Sequence, residues 1–136
     1  MKKIMKLRLL RACVFPTATY GCETWTISKN VVNRINAFEN KCYRKILNIS
    51  WKEHQTNESV LRELGIEPNF LIKFVKSQKL RYFGHVKRHD SLEKLVLEGM
   101  VEGKRGRGRP RRKWGDDIEE WLGVSVAASG RLAQNR

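Results

Sequence analysis

"SKNVVNRINAFENKCYRKILN", residues 28–48, is the stretch on which the fold class turns. Val31, Ile35, Phe38, Cys42 and Ile46 recur at spacings of four, three, four and four, the period of a helix with one buried stripe. Ser28 stands where an N-cap is needed, so the pattern predicts a helix over 29–48. Arg34, Lys41 and Lys45 draw a second stripe along its flank. That stripe reads either as a solvated edge or as an edge facing phosphates.

Working outward, the same period recurs on both sides. Ile4, Leu7 and Leu10 line one face of a helix over 3–14, which Pro16 is expected to end. "TATYGCETW" follows, either a short strand or an extended connector. Beyond residue 48, "SWKEHQTN" breaks the pattern. Asn57, or Thr56 before it, can cap a short helix through Leu64, with Gly65 as its left-handed stop. Pro68 suits the first turn of a helix over 68–88, in which Leu71, Val75, Tyr82 and Val86 share a face and Lys73, Lys76 and Lys87 point away. Gly84 inside it costs about 1 kcal/mol relative to alanine, and so marks close packing or a kink.

Ser91 can cap a further short helix with Leu92, Leu95 and Val96 inward and Gly99 as its stop. Glycines and Pro110 rule out regular helix from Gly103 to Arg112. Trp114, Ile118 and Trp121 then share one face of a helix over 114–122. The expected organisation is all-α. A small helical bundle over 1–102 leads to a basic linker over 103–113, a docking helix over 114–122 and a disordered tail over 123–136.

Charge narrows the function. The chain of 136 residues is 40% hydrophobic, enough to fold, yet it carries a formal net charge of +14 and a pI of about 10.2. Such an excess favours a polyanionic partner, DNA or RNA, over a membrane surface. It is unevenly placed: +8 over 1–50, +1 over 51–103, +7 over 104–113 and −2 over 114–136. No run approaches the roughly 18 apolar residues of a membrane span. Arg8 and Arg11 interrupt what would be the hydrophobic core of a secretory signal. The absence of acids before Glu23 keeps a mitochondrial presequence open, against a nuclear or cytoplasmic setting. Cys13, Cys22 and Cys42 are odd in number and lack C-x-x-C spacing, so they read as reduced thiols rather than a disulfide or zinc framework.

The basic run "KRGRGRPRRK" offers Lys104, Arg105, Arg107, Arg109, Arg111, Arg112 and Lys113 as phosphate contacts, because guanidinium forks in a glycine-rich segment meet phosphates with little hindrance. Its core, Arg107-Gly108-Arg109-Pro110, also resembles an AT-hook that enters the minor groove of A·T-rich DNA. A solvated charge run or a nuclear address is the plainer alternative. Trp51, in a polar connector, is the candidate for stacking on an unpaired base. "GDDIEEW" places Asp116, Asp117, Glu119 and Glu120 together, but at a helix start, where anions complement the macrodipole; a two-metal site is not expected. His85 and His89, four apart, lack a third ligand. There is no Walker loop and no nucleophile motif, so no catalytic residue, metal, cofactor or small-molecule substrate is expected.

"LLRACVFPTATYGCETWTISK", "INAFENKCYRKILNISWKEHQTNESVL" and "LRYFGHVKRHDSLEKLVLEGMVEGKRGRGRPRRKWGDDI", in that order, resemble the C-terminal region of LINE-type (non-LTR) retrotransposon endonuclease/reverse transcriptases, including craniofacial-development-protein-like copies. The resemblance covers about residues 5–122. It implies a helical thumb and post-thumb segment that grips a template–primer duplex, downstream of the palm. The family's catalytic residues do not map onto this chain: "GDDI" at 115–118 is in the wrong context for the palm metal site, and the zinc knuckle of some relatives has no counterpart. The expectation is a non-catalytic, nucleic-acid-binding fragment of a reverse transcriptase, starting at an internal methionine. The alternatives are an AT-hook-like DNA-binding protein and a retroelement remnant with no selected function.

Overall fold

The computed structural model describes residues 2–89, 92–98, 107–108 and 111–134. Among these residues no strand occurs, and the class is all-α. In chain order the helices are α1 (Lys3–Leu9), α2 (Phe15–Ala18), α3 (Lys29–Leu47), α4 (Asn57–Leu64), α5 (Phe70–Arg88), α6 (Leu92–Glu98), α7 (Asp116–Leu122) and α8 (Val126–Gln134). A π-helical turn, Leu10–Val14, joins α1 to α2, and 3-10 turns form at Cys22–Thr24 and Trp51–Glu53. The chain divides into two compact units, Met1–Gly21 with Lys29–Val75, and Cys22–Ser28 with Lys76–Arg136. The division falls within α5, whereas composition placed boundaries at 102, 113 and 122.

In the first unit, the opening helix does not stop at Pro16. It runs on through α2, with Pro16 near the start of that segment. The π turn explains the passage. The Phe15 N–H bonds the Leu10 carbonyl, five residues back. A widened turn gives room to a ring that would otherwise collide with the preceding carbonyls and that has no N–H to donate. The helix closes where the Thr19 hydroxyl (2.8 Å) and N–H (2.9 Å) both donate to the Phe15 carbonyl.

Leu10, Phe15, Tyr43, Ile46, Val60 and Leu71 form the core of this unit. Phe15 stacks on Phe70 at 5.9 Å between centroids and meets Tyr43 edge-on at 6.2 Å. Burying each large side chain of this kind stabilises by about 1.5–3 kcal/mol. α3 forms as expected, but it is rotated relative to the expected stripe. Its buried residues are Glu39, Tyr43 and Ile46, while Phe38 is exposed. The reason is polar. Glu39, 2% exposed, accepts the N–H groups of Phe70 and Leu71, both at 3.0 Å, and the Tyr43 hydroxyl at 2.9 Å. It thereby caps the first turn of α5 from another helix, satisfying donors that have no partner within α5. Asn69, at φ 61, turns the chain into that helix, so α5 starts at Phe70 instead of Pro68. α4 matches its expected signals. Thr56 accepts the Ser59 N–H (3.2 Å), and Gly65 adopts φ 63 while Ile66 N–H reaches back to the Leu61 carbonyl (3.1 Å).

In the second unit, Cys22, Ile27, Phe83, Val86 and Ile118 are buried. "TATYGCETW" resolves into the end of α2, a 3-10 turn and a short connector. The helix expected over 114–122, α7, begins at Asp116, two residues later than expected, and the segment expected to be disordered contains α8. Three features hold α8. The Glu119 carboxylate accepts the Val126 N–H at 2.9 Å, Ser125 Oγ accepts the Ala128 N–H at 3.3 Å, and Gly130 lets Lys87 lie 3.3 Å from where a Cβ would stand. Small residues read as a loose tail are here the condition for close approach. In α6, Leu92, Leu95 and Val96 were expected inward but are exposed. The Ser91 cap and Gly99 stop proposed for it lie outside the described residues.

Glu39→Ala should lower the unfolding free energy by about 2–4 kcal/mol in urea denaturation, because it strands several buried donors at roughly 1–3 kcal/mol each. Glu39→Gln, which keeps one acceptor, should lose less. The Tyr43 phenol is held well above the ordinary tyrosine value by burial, with the Glu39 hydrogen bond and charge adding to it. Above about pH 10 the unfolded chain releases this proton and the folded one keeps it, so stability falls as the pH rises. Tyr43→Phe lacks that loss. The stability difference between wild type and the variant should therefore shift in the variant's favour from pH 9 to pH 11.

Candidate nucleic-acid interface

Arg34, Lys41 and Lys45 are exposed on α3. At 100° per residue they fall on the side opposite Glu39, Tyr43 and Ile46. Among the described residues they make no ion pair. Their neighbour Arg44 differs: it is half-buried and donates to the Gln55 carbonyl (2.8 Å) and Asn57 Oδ1 (2.9 Å), holding the connector before α4. Lys3 and Lys73 pair with Glu63 and Glu67 at the surface, where such pairs contribute little.

The basic run divides differently. Lys104, Arg105 and Arg109 lie outside the described residues. Arg107, Arg111 and Lys113 are exposed, and Gly108 between the arginines takes φ 134, open to glycine and strained for other residues. Arg112 is committed to the protein itself. Its Nε donates to Asp117 Oδ1 at 2.7 Å, and its other end pairs with Glu120. These two acids hold its guanidinium above its ordinary value. The backbone of Trp51 opens the 3-10 turn Trp51–Glu53; its side chain lies outside the described residues.

Asp117 explains the commitment of Arg112. It is fully buried, as is Lys79 of α5, and the two form an ion pair. Asp117 Oδ2 also accepts the Ile27 N–H at 2.7 Å, and the Lys79 ammonium donates to the Trp25 carbonyl at 2.7 Å. That ammonium sits over the Trp114 ring at 4.6 Å and faces the Trp121 ring at 5.6 Å. Burial pushes the Lys79 ammonium below its ordinary value, and Asp117 opposes the shift. The acids of "GDDIEEW" thus do more than complement a helix dipole. Asp116 accepts the Lys113 N–H (2.7 Å), Asp117 is the buried hub, Glu119 holds α8 and Glu120 holds Arg112. Among the described residues no group of three or more His, Cys, Asp or Glu side chains could hold a metal ion.

Trp114 and Trp121 are part of this packing. Trp114 Nε1 donates to the Glu23 carbonyl at 2.8 Å, and its ring meets Tyr82 and Phe83 at 6.1 and 6.2 Å. Lys76 lies 5.1 Å from the Trp121 ring centroid. Lys79 was missed from sequence, although a signal existed. It is four residues from Val75 and four from Phe83, in register with the buried face, where a lysine demands a carboxylate partner. The cysteines are free: Cys13 is exposed, Cys22 buried and Cys42 half-buried, and burial pushes the latter two thiols up. Among the described residues no helix is long and apolar enough to cross a membrane.

The chain is 26% identical over 125 residues, 87% of its length, to a Caenorhabditis elegans protein described as transposon-derived and uncharacterized. It spans 44% of that protein's length. The similarity supports a transposon origin, and the relative's description names no catalytic activity. No known protein family matches the chain, and no solved structure matches it.

Asp117→Ala should destabilise by about 3–5 kcal/mol, since it leaves a buried ammonium without its counter-charge and the Ile27 N–H without its acceptor. Lys79→Met should cost less, because Asp117 keeps Arg112 and the Ile27 N–H. Paired urea titrations of the two variants test that ordering.

Proposed function

We propose that this chain is a non-catalytic, nucleic-acid-binding segment derived from a LINE-type retrotransposon reverse transcriptase, corresponding to its thumb and post-thumb region. The observation that carries the reading is the set of exposed cations that, among the described residues, have no acidic partner, Arg34, Lys41 and Lys45 on α3 with Arg107, Arg111 and Lys113 in the basic run, within a chain of net charge +14. Such cations contact phosphates without first breaking an internal ion pair. The ordered motifs from "YGCETW" to "GKRGRGRPRRKW" and the similarity to a transposon-derived protein support the origin. The partner is a DNA or RNA duplex recognised by its backbone, with weak sequence preference.

A second reading, minor-groove binding through the Arg107-Gly108-Arg109-Pro110 core, is favoured by the exposure of Arg107 and the φ of 134 at Gly108, which only glycine adopts without strain.

Fluorescence anisotropy with labelled duplexes tests both. With about six phosphate contacts, affinity should fall about 10³-fold between 50 and 200 mM salt. Replacing Arg34, Lys41 and Lys45 by alanine should reduce the salt slope by about three. Affinity that does not change with salt would overturn the proposal. Arg107→Ala with Arg109→Ala should weaken all duplexes alike, whereas a loss confined to A·T-rich duplex would establish the minor-groove reading.

A further inference from the structure

A second polar site lies where composition is nearly neutral. Gln78, Arg81, Tyr82, His85 and Arg88 come round on one side of α5, and Glu23 of the Cys22–Thr24 turn forms the facing wall of a cleft of about 380 Å³. All six belong to the second compact unit. Arg81, His85 and Arg88 follow at spacings of four and three, so one turn of helix separates each from the next. All three are exposed, and among the described residues neither arginine forms an ion pair.

The walls are built rather than incidental. Trp114 holds both sides: its Nε1 donates to the Glu23 carbonyl at 2.8 Å, and its ring meets Tyr82 edge-on at 6.1 Å. The His85 ring rests against His89 at 4.6 Å. Gly84 has a role here too. A Cβ at that position would stand 3.3 Å from Arg88 Nη1, so the missing side chain lets the guanidinium lie along the helix. Among the described residues Arg88 is otherwise held by a long contact of 3.4 Å to the Ala133 carbonyl.

Two arginines and a histidine on one wall attract a phosphate, and Arg presents the planar fork that phosphates take. A bare anion would nevertheless meet the Glu23 carboxylate opposite. That carboxylate can accept from a sugar hydroxyl or a base amino group. A cleft of this size falls in the range of small-ligand sites. We propose that it takes one nucleotide unit of a bound strand, with Arg81, His85 and Arg88 on the phosphate, Tyr82 beside the sugar or base, and Glu23 accepting from a hydroxyl or amino group. The proposal rests on the nucleic-acid reading for its partner, but uses none of the six cations to which that reading assigns the phosphate contacts.

The test uses the full chain and two probes, adenosine 5′-monophosphate and inorganic phosphate, beside a labelled duplex. Arg81→Ala with Arg88→Ala, both surface changes, should weaken duplex binding at least tenfold and reduce the salt slope by about two. Gly84→Ala should weaken it a few-fold by displacing Arg88. The His85 ring resonances should shift on titration with the nucleotide in wild type and not in the double arginine variant. Glu23→Ala should weaken nucleotide binding and tighten inorganic phosphate; tightening of both would overturn the nucleotide assignment. If wild type binds duplex but the double variant binds equally with the same slope, the cleft is overturned and the general reading stands. If wild type binds no duplex, the general reading fails, and the nucleotide titration still decides: a shift at His85 supports the cleft, and none overturns it.

Discussion

A carboxylate removed from water must be surrounded by donors, and Asp117 meets that requirement from three directions. An ammonium, a guanidinium and a backbone N–H converge on it. Each donor comes from a different part of the second unit: the middle of α5, the segment before α7, and the connector before α3. The hub therefore fixes where these segments meet. Hydrophobic burial alone would tolerate many arrangements of Trp114, Ile118 and Phe83, since apolar contact is not directional. A buried charge tolerates few, because each misplaced donor leaves a group that costs several kcal/mol. The tryptophan rings around Lys79 add a favourable quadrupole and keep water from the pair.

The first unit uses the same principle with a different donor set. Among the described residues Glu39 makes no ion pair; its acceptors are filled by two N–H groups at the start of α5 and by a phenol. A helix start presents unpaired donors and a partial positive charge, so a carboxylate there is favoured without a lysine. Both buried acids thus act on α5, one at its first turn and one through Lys79. Among the described residues each compact unit has one buried carboxylate, and its hydrogen bonds specify how the helices of that unit are set.

The helical class was legible because Val31, Ile35, Cys42 and Ile46 repeat with helical period, and the α4 stop was legible because Gly65 and Thr56 carry local chemistry that needs no tertiary partner. What escaped was set by partners distant in sequence. Glu39 looks like a surface residue until the donors it meets are known, and the register of Lys79 points to burial without naming its acceptor; these partners lie 31 and 38 residues away. The same limit hid the rotation of α3, since Phe38 outranks Glu39 on any hydrophobic count. Pro16 misled for the opposite reason: a local rule was right about the lost hydrogen bond, but a π turn can absorb it. In the tail, Ala127, Ala128 and Gly130 carry too little apolar surface to signal a helix, although small side chains suit one that packs closely. Of the site, the α3 cations were readable from their spacing, whereas the α5 cleft was not. It depends on the turn bearing Glu23 being brought beside α5.

Counting charge and locating an interface are therefore separate problems. The basic run has the highest density of cations in the chain, yet Arg112 within it is spent on holding α7 through Asp117 and Glu120. Arg44, in the basic stretch of α3, is likewise spent on the connector to α4. Conversely, α5 lies in the region whose net charge is only +1, because its cations are matched by acids elsewhere in the same segment. Neutrality over a segment does not neutralise a face. Glu58, Glu63 and Glu67 stand before α5, so they offset Arg81 and Arg88 in the sum without sharing their cleft. At physiological ionic strength an exposed charge acts over about 8 Å, and what a phosphate meets is the local arrangement of unpaired donors, not the total.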